Sequence, residues 1–294
     1  MKSNSLKNKV IAVVGPTASG KTQYAVKLAK EINGEVISAD SRYVYRELNV
    51  GTAKPSIEEM EEIKHHLIDI VNPDFDYSVG LYVKDAKKCI EDIISRGKTP
   101  IIAGGTGLYF TVLFENFILP EVVPDWNLRN KLEQLDNENL WNTLINLDKT
   151  AIDFNIDKND RKKVVRTIEI LKHTGKTLKE IRQKGDCEYD VEWIGLNFER
   201  DTLYERINNR VDRMIESGLI EETKNLIDKW GRIHNIIDTI GYKEILAYLD
   251  EEITLERAVD LLKQNSRRYA KRQLTWFRKN NNIKWNVYPE ILKK

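Results

Sequence analysis

Short apolar runs separated by amphipathic stretches dominate the first third of the chain. Residues 10–14, Val-Ile-Ala-Val-Val, are mostly β-branched and run into a glycine-bearing turn, the pattern of a strand buried on both faces. Behind them, from about Lys21 to Ile32, the apolar positions Ala25, Leu28, Ala29 and Ile32 recur at helical spacing. Residues 35–39, ending at Asp40, and residues 99–103, ending in Gly104-Gly105-Thr106-Gly107, read as further strands, and residues 193–198 supply another late in the chain. Strands that alternate with helices need crossover connections, so the pattern predicts a parallel sheet covered on both faces. Between about 113 and 188 strand-like runs become sparse, and Val164, Ile168 and Leu171 mark a helical period in charged surroundings. The expected organisation is a core formed by residues 1–112 and 189–294, interrupted by an all-helical insertion over 113–188. The second core segment closes with a basic helix and a short tail around Trp285.

Composition narrows the class. A chain of 294 residues with 41% hydrophobic side chains can bury a sizeable core and is too apolar to remain disordered. No apolar run approaches the ~18 residues of a membrane span. The start, MKSNSLKNK, carries no secretory pattern, so a cytoplasmic protein without membrane contact is expected. Cys89 and Cys187 lie far apart and form neither a disulfide nor a metal-ligand spacing.

Charge changes the picture more than its total suggests. The formal net charge is only +1. Residues 160–184, however, carry Arg161, Lys162, Lys163, Arg166, Lys172, Lys176, Lys179, Arg182 and Lys184 against three acidic side chains. Residues 263–279 carry Lys263, Arg267, Arg268, Lys271, Arg272, Arg278 and Lys279 against none. Concentrated basic segments on an otherwise acidic body suit a phosphate-rich partner, although two solvated helix faces would look the same.

Gly15-Pro16-Thr17-Ala18-Ser19-Gly20-Lys21-Thr22 fits the phosphate-loop pattern G-x-x-x-x-G-K-[ST], between an expected strand and an expected helix. Glycines let the backbone wrap its N–H groups around an anion, and the following helix adds its positive end. Lys21 supplies a charge to the terminal phosphates, and the Thr22 hydroxyl is placed to ligate Mg²⁺. Nucleotide hydrolysis would further require a carboxylate at a strand end. Residues 100–103 run into glycines instead, Asp69 reads as a turn residue, and Asp40 leaves the second strand on the edge where such sheets bind ligands.

These segments occur together with VISADSRYVYRELNVGTAKPS, HHLIDIV, PIIAGGTGLY and RRYAKRQLTWFR, in order across nearly the whole chain. The set resembles the bacterial tRNA dimethylallyltransferases. The resemblance implies an α/β, P-loop NTPase-like core with an inserted helical domain. It also implies transfer of a dimethylallyl group from dimethylallyl diphosphate to the exocyclic amine of the adenosine 3′ of the anticodon. The loop residues 15–22 would then hold the donor's diphosphate with Mg²⁺ as cofactor, joined by Thr17 and Arg210. From the residues alone, Arg206 and Arg210 share one helix face and neither is preferred. Asp40 would accept the proton that the new bond makes acidic. For tRNA the resemblance points to Asp40, Ser41, Arg42, Tyr43, Thr106, Arg129 and the stretch Lys162-Lys163-Val164-Val165-Arg166.

The target base would have to leave its stack to reach the donor. Tyr43 and Tyr109 are stacking candidates that core packing would equally explain, and Trp276 and Phe277 read as core residues of the basic helix. Neither zinc nor a protein partner is expected, and a monomer is the default. The main rival is an ATP-dependent small-metabolite kinase, which would leave both basic segments unused. A non-catalytic tRNA-binding regulator would have no use for Asp40, and a prenyltransferase for free adenine nucleotides would need no extended basic surface.

Overall fold

The computed structural model describes residues 8–115, 120, 122–154, 156–181 and 185–287. Six parallel strands form one sheet among the described residues: β1 (Asn8–Val14), β2 (Gly34–Ser38), β3 (His65–His66), β4 (Thr99–Gly104), β5 (Tyr189–Asn197) and β6 (Lys284–Val287). Their spatial order is β3-β2-β4-β1-β5-β6. From β1 the chain moves toward β2 and β3 on one side, while β5 and β6 extend the other. The carboxyl end of β1 is therefore the switch point at which open parallel sheets bind ligands.

The strand runs read from the sequence are all present. The early runs form because β-branched residues fill a sheet covered on both faces, and residues 10–14 and 34–38 are buried throughout. Helices α1 (Lys21–Glu31), α2 (Ile57–Met60) and α3 (Val79–Ser95) connect the first four strands, and α4 (Gly107–Phe114) follows β4. Ala25, Ala29, Val36, Ile101 and Leu196 share one core layer beside the sheet. Truncating Ile101 there to Ala should cost about 2–5 kcal/mol in lost transfer energy and cavity. β6, expected only as a tail, pairs in register with β5 from Ile194↔Lys284 to Asn197↔Val287.

Two compact units result, one of Met1–Phe114 with Glu188–Lys294, the other of Glu115–Cys187. The smaller holds α5 (Trp126–Glu133), α6 (Asn137–Leu147), a 3₁₀ turn (Lys149–Phe154), α7 (Arg161–Thr174) and α8 (Leu178–Ile181). Asp125, Asp136 and Asp160 cap α5, α6 and α7 through the amides of Leu128, Asn139 and Lys163, each worth about 1 kcal/mol. Leu132, Leu140, Leu144, Val164, Ile168 and Leu171 fill its core. Arg182 and Lys184 of the first basic segment lie outside the described residues.

In the larger unit, α9 (Arg200–Glu216), α10 (Leu219–Trp230), α11 (His234–Ile237), α12 (Tyr242–Leu249) and α13 (Leu255–Phe277) follow β5. They build a second core with Val44 and Leu48. The segment after Asp40 is thus packed on helices from the far end of the chain.

Candidate active site

The phosphate loop leaves β1 at Val14 and enters α1 at Lys21. Gly20, at φ +80°, stands in the left-handed region that glycine adopts without strain, and no side chain caps the helix. The N–H groups of the first turn of α1 are therefore left for an anion. Ser19 Nα donates to the Pro16 carbonyl at 3.3 Å and Lys21 Nζ to the same oxygen at 2.6 Å. Ser19 Oγ is buried and has no hydrogen-bond partner.

Two cations converge here. Arg210, on α9, donates from one terminal nitrogen to Thr17 Oγ1 and from the other to the Thr52 carbonyl, both at 2.9 Å. Burial, aided by the Arg210 charge and opposed by Asp40, pushes the Lys21 ammonium down to about 7. The site is short of negative charge, and an anion placed between Lys21 and Arg210 would restore the full ammonium. Arg206, one turn earlier, donates its Nε to the Ala18 carbonyl at 2.9 Å and lies over the Phe198 ring, 4.4 Å from its centroid. Both arginines reach the loop. Arg206 holds its backbone, and Arg210 holds the Thr17 hydroxyl.

Asp40 follows β2 at the same sheet edge. Its Oδ1 accepts from Arg42 N at 2.9 Å, an Asx turn that leaves Oδ2 for a proton. Ser41 N donates to Thr106 Oγ1 at 3.0 Å, and Thr106 N donates to the Ala39 carbonyl at 3.1 Å. Arg42 reaches Asn235 Oδ1 at 3.4 Å. Tyr43 donates its hydroxyl to the Ala53 carbonyl at 2.9 Å. Burial pushes that phenol up to about 12. Tyr109 and Tyr269 are raised too, first by burial, with Asp40 among the groups acting on both. Asp40, Thr106, Tyr43, Tyr269, Lys21 and Arg210 therefore share one corner. Tyr109 is instead part of the wall behind it: it is buried and stacked on Tyr82, with ring centroids 3.8 Å apart.

The remaining residues divide. Arg129 binds both oxygens of Glu169 at 2.8 Å, and Arg166 binds Glu169 as well. Glu169 is fully buried. Burial raises its carboxyl, but the two guanidiniums outweigh it and hold the group at about 2. Both arginines are thus engaged within the small unit. Val164 and Val165 are buried in its core, so their side chains are not available to a nucleic acid, whereas Lys162 and Lys163 are exposed. On α13 the exposed cations are Arg257 near its start and Arg268, Lys271 and Arg272 near its end, continued by Arg278 and Lys279. Phe277 is core, but Trp276 is not: it is 42% exposed and donates to Thr111 Oγ1 at 3.1 Å. Asp69 is a turn residue, at φ +55°, that accepts from Lys54.

Two groups in this corner escaped the sequence reading. Gln273 Oε1 accepts from Thr17 N at 2.8 Å while its Nε2 donates to the Gly105 carbonyl at 3.0 Å. The legible signal was a polar residue in the buried stripe of α13, three after Ala270 and four before Phe277. Glu222 accepts from the backbone of Asn49, Val50 and Gly51 and from the Tyr242 hydroxyl, holding the loop that receives Arg210. Nothing local to Glu222 marked it.

The IPP transferase family model matches residues 43–280, and the isopentenyl transferase model matches residues 8–76. A tRNA dimethylallyltransferase of Alkaliphilus oremlandii is 48% identical over 95% of this chain and 91% of its own. One of Streptococcus agalactiae is 48% identical over 97% and 93%. The crystal structure of a full-length tRNA isopentenylpyrophosphate transferase from Bacillus halodurans superposes with TM-score 0.73 at 45% identity, covering 96% of this chain and 90% of that one. A eukaryotic dimethylallyltransferase acting on tRNA superposes with TM-score 0.85 at 30% identity, covering 97% and 75%.

Proposed function

Because the chain belongs to the IPP transferase family, the tRNA dimethylallyltransferases, we propose that the sheet-edge corner is where it joins its two substrates. The enzyme transfers the dimethylallyl group of dimethylallyl diphosphate to the exocyclic amine of the adenosine 3′ of the anticodon in tRNA, releasing diphosphate. The observation that carries the assignment is the pairing, at one corner, of an anion cradle short of negative charge (Lys21, Arg210, Thr17) with a carboxylate, Asp40.

The chemistry divides between those two halves. The amine nitrogen bonds to the dimethylallyl carbon as the carbon–oxygen bond to diphosphate breaks. Thr17 Oγ1 accepts from Arg210, so its own proton is free to be donated to the departing oxygen. Lys21, Arg210 and the amides of residues 18–22 stabilise the charge that develops there. The nitrogen becomes cationic as it bonds, and its proton goes to Asp40 Oδ2. No water needs activating, which is why the corner works without a hydrolase's water-orienting group.

No group of three or more His, Cys, Asp or Glu side chains among the described residues could hold a metal. A hard cation would therefore take its protein oxygen from Thr22, which opens α1 beside Lys21, and the rest from diphosphate and water. That donor set fits Mg²⁺, whose contribution is to neutralise the leaving diphosphate. The tRNA meets Asp40, Ser41, Arg42, Tyr43 and Thr106 at the corner. The exposed cations of α13 together with Lys162 and Lys163 supply phosphate contacts, and Arg129 and Arg166 act by shaping α5 and α7. Among the described residues no helix is long and apolar enough to cross a membrane. We read the working form as a cytoplasmic monomer, since both halves of the corner come from one chain.

The test is a transfer assay with labelled dimethylallyl diphosphate, Mg²⁺ and an unmodified anticodon stem-loop. Label should enter the stem-loop but neither AMP nor an RNA lacking the target adenosine. ATP consumption with small metabolites, and no transfer, would return the loop to the kinase reading.

A further inference from the structure

Gln273 is a buried polar group that the reaction scheme leaves unused. Its side chain belongs to α13, more than 160 residues from either partner, and the residue is only 6% exposed. An amide has an acceptor oxygen and a donor nitrogen, and here each makes a bond inside the site. Oε1 takes the Thr17 N–H, and Nε2 gives to the Gly105 carbonyl. The approach is so close that a Cβ on Gly105 would stand 2.1 Å from Nε2. Glycine is required there to admit the amide.

The two partners lie on opposite sides of the reaction. Thr17 carries the hydroxyl that faces the leaving diphosphate, fixed at its side chain by Arg210 and at its backbone by Gln273. Gly105 precedes Thr106, whose Oγ1 receives the Ser41 amide next to Asp40. We propose that Gln273 is a positioning residue for transfer, its single amide setting the leaving-group side, through Thr17, in register with the proton-accepting side, through Gly105 and Thr106. This rests on the prenyl-transfer reading and adds to it the group that couples the two halves. Diphosphate itself is held by Lys21, Arg210 and the amides of residues 18–22, none of which needs Gln273. Its loss should therefore be felt in the chemical step rather than in binding, since a misplacement of about 1 Å costs on the order of 10²-fold in rate.

The experiment compares wild type with Gln273→Met, which keeps length and removes both hydrogen bonds, and Gln273→Glu, which keeps the acceptor and loses the donor while ionised. Single-turnover transfer to the stem-loop, inorganic diphosphate affinity by calorimetry and thermal midpoint are read on each. For Gln273→Met we expect a rate lower by about 10- to 100-fold, with diphosphate affinity within about threefold. For Gln273→Glu the deficit relative to wild type should narrow as pH falls from about 7 to 4.5, toward the ordinary glutamate pKa of ~4.3, because a protonated carboxyl again offers both a donor and an acceptor. A Gln273→Met rate within twofold of wild type overturns the proposal. So does a fall in rate, binding and active fraction together, which marks a role in folding alone. If Gln273→Met does not fold, the pH profile of Gln273→Glu decides, and a deficit that stays constant with pH overturns it. Wild type that transfers nothing to the stem-loop would sink the prenyl-transfer reading instead, an outcome visible before any variant is made.

Discussion

Arginines in the two units face opposite circumstances. In the sheet-edge corner, Arg210 spends its donors on a hydroxyl and a carbonyl, and burial, with the Arg210 charge added to it, drives the Lys21 ammonium down to about 7. In the helical unit, Arg129 and Arg166 close on the buried carboxylate of Glu169 and hold it at about 2. In the first, the cations bond only a hydroxyl and carbonyl oxygens, so an incoming anion meets donors that no carboxylate holds. In the second, a carboxylate already bonds both guanidiniums, and an incoming anion would have to displace it. Residue type alone does not separate a ligand-binding arginine from a structural one; what it already bonds does.

The comparison breaks most decisively at the corner. Asp40→Asn should lower single-turnover transfer by about 10²- to 10⁴-fold, the usual worth of a positioned proton acceptor, while stem-loop affinity changes little. An unchanged rate would remove Asp40 from the chemistry. In the helical unit, Glu169→Gln should instead cost about 3 kcal/mol of stability in denaturant titrations, because two guanidiniums lose their counter-charge, with diphosphate affinity unaffected. The Glu169 carboxyl is depressed in the folded state, so its contribution is complete above the unfolded carboxylate pKa of ~4.3 and is lost as pH falls from there through about 2.

A finer cut uses Lys21. An anion raises an ammonium whose pKa sits at about 7, so diphosphate binding at pH ~8 should take up close to one proton per site. Calorimetry in buffers of different ionisation enthalpy would read this, and uptake near zero would mean that the ammonium is already charged. The smallest effect belongs to the exposed helix face. Lys271→Ala should reduce the slope of log affinity for the stem-loop against log salt by about 0.7 if that lysine contacts one phosphate in a single-stranded region. Arg129→Ala should leave that slope alone and lower stability. The reverse pattern would place Arg129 at the RNA and undo the contrast between the units.

Local features carried much of the reading. A β-branched run, a glycine loop and a helix with its apolar residues at helical spacing follow from backbone sterics and burial on short stretches of chain, so residues 10–32 were legible as strand, phosphate loop and helix. Asp40 was legible for the same reason, as the carboxylate at the end of an apolar strand. β6 was not: four residues of mixed polarity acquire strand character only by pairing with β5, ninety positions earlier in register. The valines at 164 and 165 matched a motif, yet their side chains answer to the core of the helical unit. Trp276 looked like core and is a rim residue with an indole hydrogen bond.

The sequence by itself determined the strand–loop–helix cradle, the parallel sheet and the place where basic charge concentrates, because each depends on interactions within one or two turns of chain or on composition alone. Which cation completes the cradle, that Gln273 closes it, and that Glu222 clamps the loop beside it were decided only in the tertiary structure. Those contacts join residues more than 150 positions apart through directional hydrogen bonds. A hydrogen bond between distant residues leaves no period in the chain from which to read it.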